Sequence, residues 1–420
     1  MVTAELELNP SSLLTGDINV PGDKSISHRI LILASLANGV STIHDLNEGQ
    51  DVKHTIDILS SLGIQITEND SKTLTVRGGS LKEPNENLYV GNSGTSIRLM
   101  SGILAGMPFS TTLDGDGSIR KRPMGRIIEP LEKMGAVIEC LENDGMAPFR
   151  IDGGDLKGIE YHMEVPSAQV KGCLMLAGLF AQGQTTIVEN VPTRAHTEEM
   201  FEELGLEVEI NDNSVTVKPG RPDSFTYQVM GDPSQAAFWV VGAAILEGSK
   251  VSIKNVYTGR ERTGFIDVLK RMGADITQDP LANDLHVSFS GKLVGTVVEE
   301  KEIPGLIDEV PILAVAAACA EGETHFKGLG ELRVKESNRL ETIVSEIGSM
   351  GMNAEISGDD LIVKGGKLTG GKVNSHGDHR IAMSCAVAAL VSAEPTVISG
   401  WEAVSTSYPD FAADLERLRK

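Results

Sequence analysis

Aromatic residues make up only 4% of this 420-residue chain, and its four cysteines, Cys140, Cys173, Cys319 and Cys385, form no CxxC and no paired Cys/His spacing. The first scarcity excludes cores built on stacked rings. With 45 glycines, the chain is expected to pack Ala, Leu, Ile, Val and Met between many tight turns. The second excludes a zinc site and a disulfide framework and fits a reduced cytosol. No apolar run approaches the roughly 20 residues of a membrane span, and "MVTAELELNPSS" lacks the basic start and apolar core of a signal peptide. A cytoplasmic protein with no membrane partner is the expectation. Cations are in the minority too, 37 Lys and Arg against 59 Asp and Glu for a formal net charge of -22. Such a chain repels nucleic acid unless its basic residues cluster.

What the chain has is repetition. A junction of the form apolar-Gly-x-x-apolar recurs in "LGIQI", "MGAVI", "LGLEV", "MGADI" and "MGMNAEI", at Gly63, Gly135, Gly205, Gly273 and Gly351. Glycine at the end of an amphipathic helix, followed by alternating apolar and polar residues, is the chemistry of a helix stop leading into a strand. Six apolar, small-residue segments interleave with these junctions: "KSISHRILILASLANG", "GTSIRLMSGILAG", "SAQVKGCLMLAGLFAQG", "PSQAAFWVVGAAILEG", "DEVPILAVAAACAEG" and "DHRIAMSCAVAALVSA". Being apolar nearly all round, they are expected as buried helices, while "RIIEPLEKMGA" and "GFIDVLKRMGA", charged on one face, are expected outside. Each unit of about 70 residues then holds a buried helix, an amphipathic helix and several strands. The sixth outer helix, "PDFAADLERL", ends the chain, so the strand "AELEL" at the N-terminus is expected to complete the last unit. The fold class expected is α/β with two lobes, residues 1–20 plus 232–420 and an inserted 21–231, three units in each.

The buried helices start with polar residues: Lys24, Ser25 and Arg29; Asn92, Ser93, Thr95 and Arg98; Ser167 and Gln169; Asp232 and Ser234; Asp308 and Glu309; Asp378, His379 and Arg380. A helix N-terminus carries unpaired N–H groups and about half a positive charge. If the two lobes face each other through these ends, their cleft traps anions. Ser, Thr and Asp at such places cap helices. Capping does not explain Lys24, Arg29, Arg98, Arg380, Lys335 and Arg339, because a cation there opposes the dipole. Asp308, Glu309 and Glu336 are electrostatically misplaced in an anion site unless they handle a proton, hold a hydroxyl or form a salt bridge. "GDKS" fails the Walker spacing, since Asp23 separates Gly22 from Lys24. In "GDGSIRKRPMGR" only Arg122, beside Pro123, stands out, and His379 in "HGDHR" is either a site residue or a capping and core one.

With these residues in view, the sequence resembles the family of 3-phosphoshikimate 1-carboxyvinyltransferases, the 5-enolpyruvylshikimate-3-phosphate synthases. The resemblance runs through "PGDKSISHR", "GNSGTSIRL", "DGDGSIRKRPMGR", "PSAQVKG", "TRAHTE", "DEVP", "RVKESNRL", "GDHRIAM" and "TSYPDF", in the family's order. It implies two pseudo-symmetric lobes of βαβαββ units, three per lobe, around parallel buried helices whose N-termini face the cleft. It also implies transfer of the enolpyruvyl group of phosphoenolpyruvate to the 5-hydroxyl of shikimate 3-phosphate, releasing phosphate, by a monomer with no metal and no organic cofactor.

Carried over by motif, Lys24, Ser25, Arg29, Ser167, Gln169, Arg194, Asp308 and Lys335 would hold shikimate 3-phosphate. Lys24, Gly94, Arg122, Gln169, Arg339 and Arg380 would surround phosphoenolpyruvate, with Asn92, Ser93, Thr95 and His379 in support. Asp308 would accept the hydroxyl proton, and Glu336, assisted by Lys24, would protonate the methylene carbon, giving a tetrahedral intermediate. Gly94 is the small residue that leaves room for the family's inhibitor glyphosate. Many relatives carry a lysine where "STSYPDF" places Thr406, so no C-terminal lysine is assigned. Two alternatives stand beside this one. A UDP-N-acetylglucosamine enolpyruvyl transferase would place a reactive cysteine in the loop "TLDGDGSIRKRPMG", which has none. A non-catalytic repeat scaffold would have no need of Lys24, Arg122, Asp308, Glu336 and Arg380 together.

Overall fold

The computed structural model describes residues 4–11, 13–70, 72–259 and 262–419. The chain divides into two compact units, Gly22–Val229 and Met1–Pro21 joined with Met230–Lys420. The changeovers therefore fall at 21/22 and 229/230, against 20/21 and 231/232 read from the sequence.

Three inner helices centre each lobe: Lys24–Leu36, Gly94–Ala105 and Ala168–Gly178 in one, Pro233–Ile245, Val310–Ala318 and His379–Leu390 in the other. Their starts are fixed locally. Asp23 accepts from the Ile26 N–H, Ser93 from Ser96, Ser167 from Val170, Asp232 from Ser234 and Asp378 from Arg380. Beyond the first turn these helices are buried on nearly every face, as Leu-, Ile- and Ala-rich segments without a polar stripe must be. Small residues let them approach closely. A Cβ at Gly102 would stand 2.2 Å from the Cys173 carbonyl oxygen, so the helices Gly94–Ala105 and Ala168–Gly178 touch through backbone.

The outer helices end as expected, with Gly63, Gly135, Gly205, Gly273 and Gly351 all at positive φ, where a side chain would be strained. Strands after these stops build small sheets on a common pattern. In the second unit, Leu88–Tyr89 pairs parallel with Ser110–Asp114, which pairs antiparallel with Phe149–Asp152, itself antiparallel to Val137–Cys140. The first unit borrows its opening strand from far along the chain, because Thr226–Gln228 pairs parallel with Val40–His44. The fourth does the same with Thr15–Asn19, which pairs parallel with Lys250–Lys254. The N-terminal strand Glu5–Leu8 lies antiparallel to Thr396–Ser399 and completes the sheet of the last unit, as the sequence led one to expect. The result is a six-unit βαβαββ architecture with three units in each lobe.

The fifth unit breaks the pattern. Its outer helix is reduced to Arg339–Thr342 followed by a π-helical turn, Ile343–Ile347, and is preceded by the 3₁₀ stretch Gly330–Val334. The segment between, with Lys335 and Glu336, is thereby released from regular structure. No helix among the described residues is long and apolar enough to cross a membrane.

Candidate active site

In the lobe Gly22–Val229, a chain of contacts gathers residues from all three inner helices. Lys24 opens its helix directly after the Asp23 cap, and its Nζ lies 3.0 Å from Asp51 Oδ2. Arg29, one turn on, is buried. Its Nη1 donates to the Ser25 carbonyl at 3.0 Å, its Nε to Thr197 Oγ1 at 2.8 Å and its Nη2 to the Ala168 carbonyl at 3.4 Å. One guanidinium thus ties Lys24 and Ser25 to the Ser167–Gln169 helix start and to the segment carrying Arg194. From there Gln169 Nε2 donates to Thr95 Oγ1 at 3.0 Å, and Arg98 Nη1 donates to Gln169 Oε1 at 2.5 Å. Both ends of that amide are held, so its orientation is fixed.

Arg122 comes from the turn after the 3₁₀ stretch Ile119–Lys121 and is 5% exposed. Its Nη2 donates to Asn92 Oδ1 at 2.6 Å, and its Nη1 lies 2.9 Å from where a Cβ on Gly94 would stand. Glycine at 94 is what lets two arginines crowd the start of the helix, since Arg98 Nη1 would be 3.1 Å from the same Cβ. The neighbouring cations go elsewhere: Arg120 pairs with Asp114 at 2.5 Å and Glu142 at 3.0 Å, and Lys121 faces solvent.

In the other lobe the centre is Arg339, fully buried. Its Nε meets Asp378 Oδ2 at 2.7 Å, its Nη1 meets Asp308 Oδ1 at 3.1 Å, and its Nη2 donates to Glu336. Burial works against the charge, but Asp378, Glu336 and Asp308 outweigh it and hold Arg339 more firmly protonated than usual. Lys335 Nζ adds a longer contact to Asp308 Oδ1 at 3.5 Å. Arg380, in the first turn of its helix, donates from Nη1 to the Asp308 carbonyl at 3.0 Å. His379 is buried at the first helical position, beside the Asp378 cap. Behind them Arg262 joins Asp232 Oδ1 at 2.7 Å and Glu309 Oε1 at 3.3 Å.

The structure thus groups the candidates by lobe: Lys24, Ser25, Arg29, Asn92, Ser93, Gly94, Thr95, Arg122, Ser167 and Gln169 with the Arg194 segment in one, Asp308, Lys335, Glu336, Arg339, His379 and Arg380 in the other. Thr406 lies in the 3₁₀ turn Trp401–Thr406 with its hydroxyl donating to the Ala403 carbonyl at 2.8 Å. Sequence reasoning missed Asp51 as the partner of Lys24, Thr197 as that of Arg29, and Arg262 as that of Glu309. It also missed Lys171, although a lone cation inside "AQVKGCLMLAG" was a usable signal.

A repeated α/β scaffold whose inner helix ends present arginines, hydroxyls and a few carboxylates defines an enzyme for small, strongly anionic substrates. The family is then unambiguous: the chain belongs to the EPSP synthase (3-phosphoshikimate 1-carboxyvinyltransferase) family, whose model matches residues 8–415. It is 46% identical over 431 residues to the 3-phosphoshikimate 1-carboxyvinyltransferase of Synechococcus sp. (strain JA-3-3Ab), covering 98% of this chain and 96% of that protein. It is 45% identical to that of Thermoanaerobacter sp. (strain X514), covering 99% and 100%. Among solved structures it is similar to an EPSP synthase from Acinetobacter baumannii, with a TM-score of 0.87, 40% identity and coverage of 99% and 98%.

Proposed function

We propose that this chain transfers the enolpyruvyl group of phosphoenolpyruvate to the 5-hydroxyl of shikimate 3-phosphate and releases phosphate, as a cytoplasmic monomer. The observation that carries it is the family match from residue 8 to residue 415, which spans every motif supplying the clustered side chains. Each substrate brings a phosphate of about -1.5 to -2 and a carboxylate, and arginine forks suit both groups. Lys24, Ser25, Arg29, Ser167, Gln169, Arg194, Asp308 and Lys335 are assigned to shikimate 3-phosphate. Lys24, Gly94, Arg122, Gln169, Arg339 and Arg380 are assigned to phosphoenolpyruvate, supported by Asn92, Thr95 and His379.

Chemistry needs one proton removed from the 5-hydroxyl and one delivered to the methylene carbon of phosphoenolpyruvate. Asp308 takes the first role and Glu336 the second. Both carboxylates share Arg339, so proton movement at either is coupled to where that guanidinium points. Attack of the hydroxyl on C2 gives a tetrahedral ketal phosphate. Loss of a methyl proton and of phosphate then yields the enol ether.

The test is phosphate release on mixing the protein with phosphoenolpyruvate, with and without shikimate 3-phosphate, in the presence of a chelator. Release only with both substrates is the expected result. Release with UDP-N-acetylglucosamine in place of shikimate 3-phosphate would move the chain to the sister activity, and silence with both would favour a scaffold.

A further inference from the structure

Lys171 is the one charged residue of the inner helix Ala168–Gly178, and its side chain is 1% exposed. An ammonium out of water is tolerated only when its donors are matched by acceptors. Here its Nζ reaches Glu189 Oε2 at 2.8 Å, Glu198 Oε1 at 2.5 Å and the Thr193 carbonyl at 3.3 Å. Thr193 Oγ1 in turn donates to Glu189 Oε1 at 2.5 Å.

Two of the three acceptors, Glu189 and Thr193, sit on the connection from the strand Thr185–Val188 to the helix His196–Glu203, and the third, Glu198, is in the first turn of that helix. Between those elements the backbone has no ladder of its own to hold it. Three attachment points fix both the place and the orientation of a segment, which one ion pair could not do. Arg194 follows Thr193 directly, and Arg29 grips the far end of the same stretch through Thr197 at 2.8 Å. A charge pair kept for stability alone needs one carboxylate and is replaceable by apolar residues. Lys171 instead has two carboxylates and a carbonyl, all from the segment that carries Arg194.

We propose that Lys171 is a positioning residue: through Glu189, Thr193 and Glu198 it sets the Glu189–Glu198 segment, and with it the Arg194 guanidinium that meets shikimate 3-phosphate. This rests on the assignment of Arg194 to that substrate. The effect is expected chiefly on shikimate 3-phosphate, because the acceptors of Lys171 Nζ all lie on the segment that carries Arg194, whereas Lys24 is held by Asp51 and Gln169 by Thr95 and Arg98.

The experiment is steady-state kinetics on the full-length enzyme carrying Lys171→Met, Glu189→Gln, Arg194→Ala or Lys171→Met with Arg194→Ala, with each KM measured at saturation of the other substrate. Lys171→Met should raise KM for shikimate 3-phosphate about tenfold, with kcat and KM for phosphoenolpyruvate within about twofold. In the double variant the Lys171 change should add nothing to Arg194→Ala. If Arg194→Ala leaves KM for shikimate 3-phosphate unchanged, the assignment of Arg194 fails and the proposal with it. If Arg194→Ala raises that KM while Lys171→Met does not, or while the two effects multiply, the positioning role is overturned and the assignment stands. Should Lys171→Met not fold, Glu189→Gln decides: a rise of about threefold confined to shikimate 3-phosphate supports the role, and no rise overturns it.

Discussion

In the lobe Gly22–Val229, the arginines at the inner helix ends bond to neutral oxygens: Arg29 to a hydroxyl and two carbonyls, Arg98 to the Gln169 amide, Arg122 to the Asn92 amide. In the other lobe Arg339 meets three carboxylates and Arg262 meets two. A guanidinium bonded to hydroxyl, amide or carbonyl oxygens is oriented by them without a charge being cancelled in those bonds. One among carboxylates has its charge offset by them, and it holds those carboxylates together in turn. One repeated scaffold therefore sets arginines against hydroxyls, amides and carbonyls at the helix ends of one lobe and gathers a cluster of carboxylates around Arg339 and Arg262 in the other.

The largest effect that could break this contrast is at Arg339. Replacing it with Met leaves Asp308, Glu336 and Asp378 close together without their shared cation, and loss of one partner from a buried ion pair costs about 3–5 kcal/mol. Urea unfolding should show a loss of that order, and phosphate release should vanish. A variant as stable as the parent would mean the three carboxylates do not depend on Arg339, and the two lobes would not differ in kind.

Gly94→Ala sharpens the other side. The added Cβ would stand 2.9 Å from Arg122 Nη1 and 3.1 Å from Arg98 Nη1, the far ends of side chains held by Asn92, Gln169 and the Pro123 carbonyl. These ends can shift, so stability should change by less than about 1 kcal/mol, while moving Arg122 should raise KM for phosphoenolpyruvate about tenfold. The parent should be inhibited by millimolar glyphosate and the variant less so, as a dose-response on both would show. An unchanged KM would mean that Arg122 does not meet phosphoenolpyruvate from this position.

Much of this was legible in the sequence because it is local. The five junction glycines announce helix stops, and the six apolar segments announce inner helices, by chemistry acting over a few residues. The cations at helix starts were legible as misplaced charges. Their partners were not, since Thr197 meets Arg29 only through the packing of separate units, and Asp51 and Asp232 meet Lys24 and Arg262 across 27 and 30 residues of one unit. The broken outer helix of the fifth unit was hidden as well, because "NRLETIVSEIGSMG" has the spacing of an ordinary amphipathic helix and nothing in it marks the π turn at Ile343–Ile347.

The smallest effect reads the field of the first lobe directly. His28 is fully buried between Lys24 and Arg29 on the same helix, with Nδ1 2.8 Å from Thr55 Oγ1. Burial first, and then the positive charges of Lys24 and Arg29, push its pKa well below 6.5. A histidine depressed in the folded state stays neutral while the unfolded chain takes up a proton. Its contribution is therefore complete above about pH 6.5 and is lost as pH falls from there toward the folded value, by up to about 1.4 kcal/mol per pH unit. Lys24→Met removes one of the two cations while leaving the burial, so the folded pKa should rise toward the ordinary value. The acid-side loss measured by urea unfolding between pH 6.5 and 5 should then be smaller in Lys24→Met than in the parent. His28→Asn, which cannot titrate, sets the baseline. Equal losses in the parent and Lys24→Met, both above that baseline, would show that burial and Arg29 keep His28 neutral without Lys24 and that the charge of Lys24 is largely met by Asp51, which would bring this lobe closer to the ion-paired character of the other.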